Sequence, residues 1–388
     1  MPWNETCVMN LKISMLSDWI SGKFTKTMLA SKYNVSRPTV DKWLSRVSQQ
    51  GVIGLYEQSR KPHNNPNQTP DAIVELIVKT KGEYLHWGPK KINDYLKNKH
   101  PDINWPADST TGNILKKAGL VKPRSRPKRQ VSPFPEHLTE STKPCQIWNV
   151  DFKGNARLGN GEQCYPLTIS DDFCRYLLEI RGLSSTSHEN VKNSFEKLFY
   201  EFGLPEGIKS DNGVPFASTA IGGLSQLSKW FVKLGIRPER IEKGKPTQNG
   251  RHERMHRTLK NETMKPTKHS FAAQQATFER FRYEYNEERS HEGIGRKTPS
   301  SLFKPSSIVY HGQLPEVNYS QDKTVRSVRC NGEIKWKGNL IYLGGVLAKE
   351  RVGLVQQNES TWNIYYSFLH IGNLNEKTMK VERIKQGR

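Results

Sequence analysis

Three carboxylates stand in three different settings along this chain. Asp151 closes the apolar run Ile147-Trp148-Asn149-Val150, and Asp211 follows Gly207-Ile208-Lys209 within Lys209-Ser210-Asp211-Asn212-Gly213. Glu253 opens a basic helical pattern in Gln248-Asn249-Gly250-Arg251-His252-Glu253-Arg254. Two strand ends and a helix start can meet at one rim of a sheet, and acidic oxygens gathered there suit a hard divalent cation. Magnesium keeps several waters and takes only one or two carboxylates, so two ions sharing three acids leave positions for phosphate oxygens. Such a pair stabilises the attacking and leaving oxygens of an in-line displacement together. Carboxylates select Mg²⁺, with Mn²⁺ as the alternative, whereas zinc would call for His and Cys. The chemistry to expect is phosphoryl transfer.

Composition points to a polyanionic substrate. The 388 residues carry a net charge of +22, from 60 Lys and Arg against 38 Asp and Glu. A basic excess of that size attracts phosphate backbones and makes binding depend on salt. The bland alternative is a basic surface that serves only solubility. Cys7, Cys145, Cys164, Cys174 and Cys330 are scattered, with no C-x-x-C pair, which argues against zinc fingers and a disulfide framework. No stretch approaches a membrane span and the start lacks signal-peptide order, so a soluble cytoplasmic protein without a membrane partner is expected.

The length allows about two to four domains, and the elements that must position the acids read in that order. In residues 1–56, Leu11, Met15, Leu16 and Trp19 make a helical stripe, and a second helix runs from Lys26 to Tyr33. After a turn at Asn34-Val35, Ser36 caps a third helix with Pro38 in its first turn and Val40, Trp43, Leu44 and Val47 on one face. Helix, tight turn, capped helix is a helix-turn-helix, in which the second helix enters the major groove. Arg37, Thr39, Asp41 and Lys42 would face base edges and Arg46 a phosphate; the alternative is a plain three-helix bundle with solvated faces. Residues 57–68 are polar, Pro-rich linker.

Residues 69–120 read as a second helix-turn-helix, winged or plain, whose last helix shows Ser109, Thr111, Asn113, Lys116 and Lys117 on its polar side. Residues 121–143 hold the Pro-broken basic run with Arg124, Arg126, Lys128 and Arg129, which cannot form a helix or a core. It is either an extended arm along a DNA backbone or minor groove, or a charged linker.

Residues 144–305 change character. Three strands, Ile147-Trp148-Asn149-Val150, Tyr165 to Ile169 and Tyr176 to Ile180, precede helix–strand alternation, the order of a ribonuclease-H-like mixed sheet. Asp171 and Asp172 are the competing acids, read as turn residues that cap backbone groups. Residues 320–385 alternate apolar and polar at regular turns and predict a small β-barrel, either a DNA-binding or a packing module. The whole reads as a multidomain α+β protein.

The motifs Trp148-Asn149-Val150-Asp151, Ser210-Asp211-Asn212-Gly213 and Lys245-Pro246-Thr247-Gln248-Asn249-Gly250-Arg251-His252-Glu253-Arg254 resemble the Asp-Asp-Glu core of retroviral integrases and bacterial insertion-sequence transposases. The paired helix-turn-helix units with Ser59-Arg60-Lys61-Pro62-His63 between them resemble the transposases in particular. The resemblance covers roughly residues 10–303. It implies that Asp151, Asp211 and Glu253 hold two Mg²⁺ ions, that a water attacks the phosphodiester at an element end, and that the freed 3′-hydroxyl attacks target DNA. It also implies double-stranded DNA as partner, both element ends and target, a homo-oligomer on that DNA, and a bacterial cytoplasm with the nucleoid as the site of action.

Arg257 and Lys260 lie four and seven residues beyond Glu253, so they share its helix face, where donor phosphates would lie. Asn249, on the loop before the helix, joins them as a DNA contact. His252 and His256 read as surface histidines that could also reach DNA. The Asp211-to-Glu253 interval is longer than in many integrase-like enzymes, and the excess around Ser218 to Gln226 reads as a surface insertion. Two rival readings stay open: a catalytically silent regulator that kept the helix-turn-helix units, and a ribonuclease-H-like nuclease that only hydrolyses.

Overall fold

The computed structural model describes residues 7–58, 68–121, 138–241 and 250–383, in two compact units divided at Thr69 and Pro70. Arg124, Arg126, Lys128, Arg129 and Asn249 lie outside the described residues, as do all of residues 242–249.

The first unit contains α1 (Val8–Ile20), α2 (Lys26–Lys32) and α3 (Arg37–Gln50), with a 3₁₀ turn at Gly51–Leu55. Thr25 caps α2 by accepting from the Met28 amide, and Asn34 turns the chain at φ 50° before α3. Ser36 occupies the cap position without bonding a helix amide; its hydroxyl pairs with Thr39 instead. Met15, Leu29, Val40, Trp43, Leu44 and Leu55 form the core. The α1 stripe is only partly used, since Leu11 and Trp19 remain exposed.

The second helical segment comprises α4 (Asp71–Glu83), α5 (Pro89–Lys99) and α6 (Asp108–Lys117), around Ile77, Trp87, Ile92, Leu96, Trp105 and Leu115. Residues 100–107 separate α5 from α6, a longer connection than a tight helix-turn-helix uses. Thr111, expected on the polar side, is fully buried and donates to Asn93. Trp87 Nε1 donates to Glu284 at 3.0 Å and Tyr84 to Glu288 at 2.7 Å. Arg296 grips Asp94 at 2.5 Å and Asp108 at 2.9 Å. This segment therefore packs on the residues that follow α10 (Phe271–Tyr283) instead of standing apart.

The central sheet holds β1 (Ile147–Phe152), β2 (Ala156–Arg157), β3 (Gln163–Asp171), β4 (Leu177–Leu183), β5 (Gly207–Ser210) and β6 (Arg237–Arg240). Its order is β2-β3-β1-β5-β6 with β4 also on β3; β3 is antiparallel to both β1 and β4, while β5 and β6 run parallel to β1. The expected mixed sheet is present. Trp148 and Val150 of β1 and Leu167 and Ile169 of β3 join the cluster under α7 (His188–Phe202) and α8 (Gln226–Lys233). By strand alternation Asn149, Asp151, Thr168 and Ser170 point to the other face. That face carries α9 (Gly250–Thr263), which with α10 (Phe271–Tyr283) buries Met255, Leu259, Phe278 and Phe281.

The expected C-terminal barrel is not closed. Strands β7 (Thr324–Ser327), β10 (Arg351–Asn358), β11 (Thr361–Tyr366), β12 (Leu369–Asn375) and β13 (Lys380–Arg383) form an antiparallel sheet ordered β13-β12-β11-β10-β7. Among the described residues β7 and β13 each have one ladder neighbour. The hairpin β8 (Glu333–Trp336) and β9 (Asn339–Tyr342) shares the apolar core through Ile334, Trp336 and Ile341 without pairing to either edge. Side chains close the core here, and backbone ladders do not.

The supposed surface insertion is also corrected. Ile221 and Leu224 are buried in the C-terminal core, and Gly222, at φ +58°, passes so close to Ile371 that an added Cβ would meet its side chain at 3.0 Å. Lys229 and Lys233 of α8 reach Glu350 at 3.4 and 2.8 Å. The segment docks the C-terminal sheet onto the core. Ile221→Ala should cost about 2–4 kcal/mol in denaturant unfolding; a loss below about 0.5 kcal/mol would be that of a surface residue and would refute the dock.

Candidate active site

β1 and β5 pair in parallel through Asn149 and Lys209. Two residues farther along each strand direction come Asp151 and Asp211, so neighbouring parallel strands deliver both acids to one edge. The Asp211 carboxylate accepts from the Gly213 amide at 3.0 Å, which turns the chain immediately after β5. Glu253 is exposed in the first turn of α9, across from β1. Burial, then the charge of Asp211 and to a lesser degree that of Glu253, push the Asp151 carboxyl up from 3.8 to about 7. Like charges brought this near disfavour ionisation of Asp151.

A cavity of about 490 Å³ opens at Asp151 and Glu253, and its lining is otherwise mostly basic and polar, Lys153, Arg257, Lys260, Asn261 and Lys265, together with Phe152 and His256. Arg257 and Lys260 thus lie along the same wall as Glu253. Lys153, Asn261 and Lys265 escaped the sequence reading. Lys153, two positions past Asp151, could have been found by strand alternation, whereas Lys265 lies beyond the end of α9 and gave no periodic signal.

Asp171 and Asp172 are committed elsewhere. Asp171 accepts from the Cys145 and Cys174 amides, both at 2.7 Å. Asp172 accepts from Asn149 at 2.8 Å and lies 3.5 Å from Arg251 and 3.8 Å from Lys209. Their oxygens hold strand ends together.

The histidines are a correction. His252 and His256 are 2% and 4% exposed and face the sheet, so they are not surface DNA contacts. Burial drives His252 down to about 3 and His256 to about 2, which leaves both rings neutral. Asp151, His252 and His256 offer ligand atoms within 4.8 Å of one another, a trio that competes with the carboxylate set. Both Nε2 atoms are already bonded to the Thr168 hydroxyl, at 2.6 and 2.7 Å, so the carboxylates are the freer donors.

In the first unit Arg37 and Lys42 are exposed at the start of α3, and Thr39 is half-buried. Asp41 pairs with Lys26 at 2.6 Å. Arg46 is half-buried with its guanidinium 5.1 Å from the Trp43 ring centroid. Lys116 and Lys117 are exposed in the last turn of α6.

Residues 141–246 and 234–299 each match the model of an integrase core domain, residues 11–63 that of a helix-turn-helix domain, and residues 39–115 that of a homeodomain-like domain. Fold and site together define an integrase core joined to helix-turn-helix segments. An uncharacterised protein of insertion element IS407 from Burkholderia multivorans is 25% identical over 65% of this chain and 87% of its own length. One of insertion element IS476 from Xanthomonas euvesicatoria is 27% identical over 65% of this chain and 70% of its own. The chain carries an integrase core domain and resembles these insertion-element proteins. The HTLV-2 integrase catalytic core domain in complex with magnesium superposes with a TM-score of 0.33 at 15% identity, covering 42% of this chain and 99% of that one.

The Asp151 environment has a measurable consequence. Its carboxyl ionises near pH 7 when folded and near 3.8 when unfolded. Between those values the unfolded chain binds fewer protons, so stability falls as pH rises through the window. In metal-free protein, Asp151→Asn should raise the melting temperature at pH 8 by the equivalent of about 1 kcal/mol and change it little below pH 4. A lower melting temperature at pH 8 would exclude this environment.

Proposed function

We propose that the chain is a transposase that binds the terminal repeats of its element and carries out metal-dependent DNA strand cleavage and strand transfer. The observation that carries this reading is the crowding of Asp151 by Asp211 and Glu253 beside a basic cavity. Three carboxylates, two of which raise the proton affinity of Asp151, form a donor set suited to hard divalent ions. Asp151, Asp211 and Glu253 would hold two Mg²⁺ ions, or Mn²⁺. Bound there, the ions would lower the pKa of a water and offset charge on the phosphate.

The chain's own residues supply the rest. Arg257, Lys260, Lys153 and Lys265 neutralise phosphates of the donor strand along the cavity, and Asn261 can hydrogen-bond sugar or phosphate oxygens. Asn249, which directly precedes α9 in the chain, contacts DNA. Arg37, Thr39 and Lys42 read base edges at the element end through α3, with Arg46 at a phosphate. Lys116, Lys117 and the arm with Arg124, Arg126, Lys128 and Arg129 add backbone contacts. Two element ends must be cut in concert, so the active form is a homo-oligomer on DNA. Among the described residues no helix is long and apolar enough to cross a membrane, and the nucleoid of a bacterial cytoplasm is the compartment where such DNA lies.

Glu253→Gln should abolish Mg²⁺-dependent joining of labelled element ends while end binding in a gel shift stays within about twofold, since an exposed side chain is removed from the metal set and not from the fold. Retained joining would defeat the assignment. Hydrolysis without joining by the wild type would favour the nuclease reading instead. Arg37→Ala should weaken end binding by about 1–3 kcal/mol and relax preference at one base pair. An unchanged preference removes Arg37 from the base-reading set.

A further inference from the structure

Thr168 stands directly across the β1–β3 ladder from Asp151, and its hydroxyl is a junction. It donates to the Asp151 backbone carbonyl at 2.9 Å. His252 Nε2 and His256 Nε2 approach the same oxygen at 2.6 and 2.7 Å. A hydroxyl has one proton and two lone pairs. With that proton given to a carbonyl, which can only accept, both imidazoles must donate, and each neutral ring is the Nε2–H tautomer.

The remaining ring atoms follow from this. Ser170 Oγ lies 3.2 Å from His252 Nδ1 and donates to it. His256 Nδ1 is left as a lone-pair atom 3.7 Å from Asp151 Oδ2. At that separation the two atoms are beyond hydrogen-bond distance, so the ring shapes the pocket beside the carboxylate without occupying its oxygen. Were His256 free to carry its proton on Nδ1, it would donate to Asp151 and compete with any cation there.

The same junction sets distances. His252 and His256 are one helical turn apart on the inner face of α9, and Glu253 follows His252 directly. Arg251 adds a bond to the Asp172 carbonyl at 3.2 Å. The helix that carries Glu253 is thereby tied to the strands that carry Asp151.

We infer that Thr168, His252 and His256 are positioning residues: one hydroxyl fixes α9 against β1 and locks His256 in the tautomer that leaves the Asp151 carboxylate open to a divalent ion. This rests on the reading of Asp151 and Glu253 as ligands of such an ion.

The test uses full-length protein, with Mn²⁺ titrated by electron paramagnetic resonance in the absence of DNA, and histidine tautomers read by nitrogen-15 NMR. Wild type should show Nε2–H at both His252 and His256; an Nδ1–H at His256 overturns the proposal whether or not any variant folds. Thr168→Val should weaken Mn²⁺ binding about 10–100-fold, the usual cost of removing a group that orients a ligand, and raise the Mg²⁺ needed for half-maximal joining in parallel. It should also move His256 toward Nδ1–H. Thr168→Ser, which keeps the hydroxyl, should restore both. A Thr168→Val protein with wild-type Mn²⁺ affinity refutes the latch while Asp151→Asn loses the ion. If Asp151→Asn binds Mn²⁺ as tightly as wild type, the metal reading itself fails and the latch with it.

Discussion

Repulsion among carboxylates at one sheet edge is the constraint from which the rest of this structure follows. Asp151 is half-buried, and it stays protonated to near neutral pH because burial and the charges of Asp211 and Glu253 oppose its ionisation. Such a group is unfavourable to keep unless positive charge is brought to it. The surrounding wall supplies some: Lys153, Arg257, Lys260 and Lys265 line the same cavity. These are also the groups a polyanion would meet, so charge that relieves the folded state and charge that attracts DNA are the same charge.

Holding repelling groups together requires stiff backbone. Parallel pairing of β1 with β5 fixes the first two acids, and the Thr168 junction fixes the helix that carries the third. Asp171 and Asp172 serve the same end from the structural side, by taking backbone amides, Asn149, Lys209 and Arg251 into one network. An acid whose lone pairs are filled by fixed donors is a poor metal ligand. That difference in prior commitment separates the candidate site from its neighbours more sharply than their positions do.

Coupling extends outward within the larger unit. Arg296 and the pairs Trp87–Glu284 and Tyr84–Glu288 clamp the second helical segment to the residues that follow α10. Ile221, Leu224 and the Glu350 pairs do the same for the C-terminal sheet.

What the sequence determined by itself is whatever depends on residues near one another in the chain. The α3 face, the mixed-sheet order, the strand-end Asp151 and Asp211, and the shared face of Glu253, Arg257 and Lys260 all follow from periods of two or 3.6 residues and from turn chemistry. Tertiary structure decided what depends on distant partners. The inward turn of His252 and His256 needed Thr168 to be opposite them, and a basic helix alone gives no sign of that. Burial of Thr111 needed Asn93, and the role of Ile221 needed Ile371. The C-terminal strands alternate as a barrel would, yet alternation records only which side is apolar; whether two edges meet is a matter of register, and here the hairpin Glu333–Tyr342 fills the core between them with side chains instead.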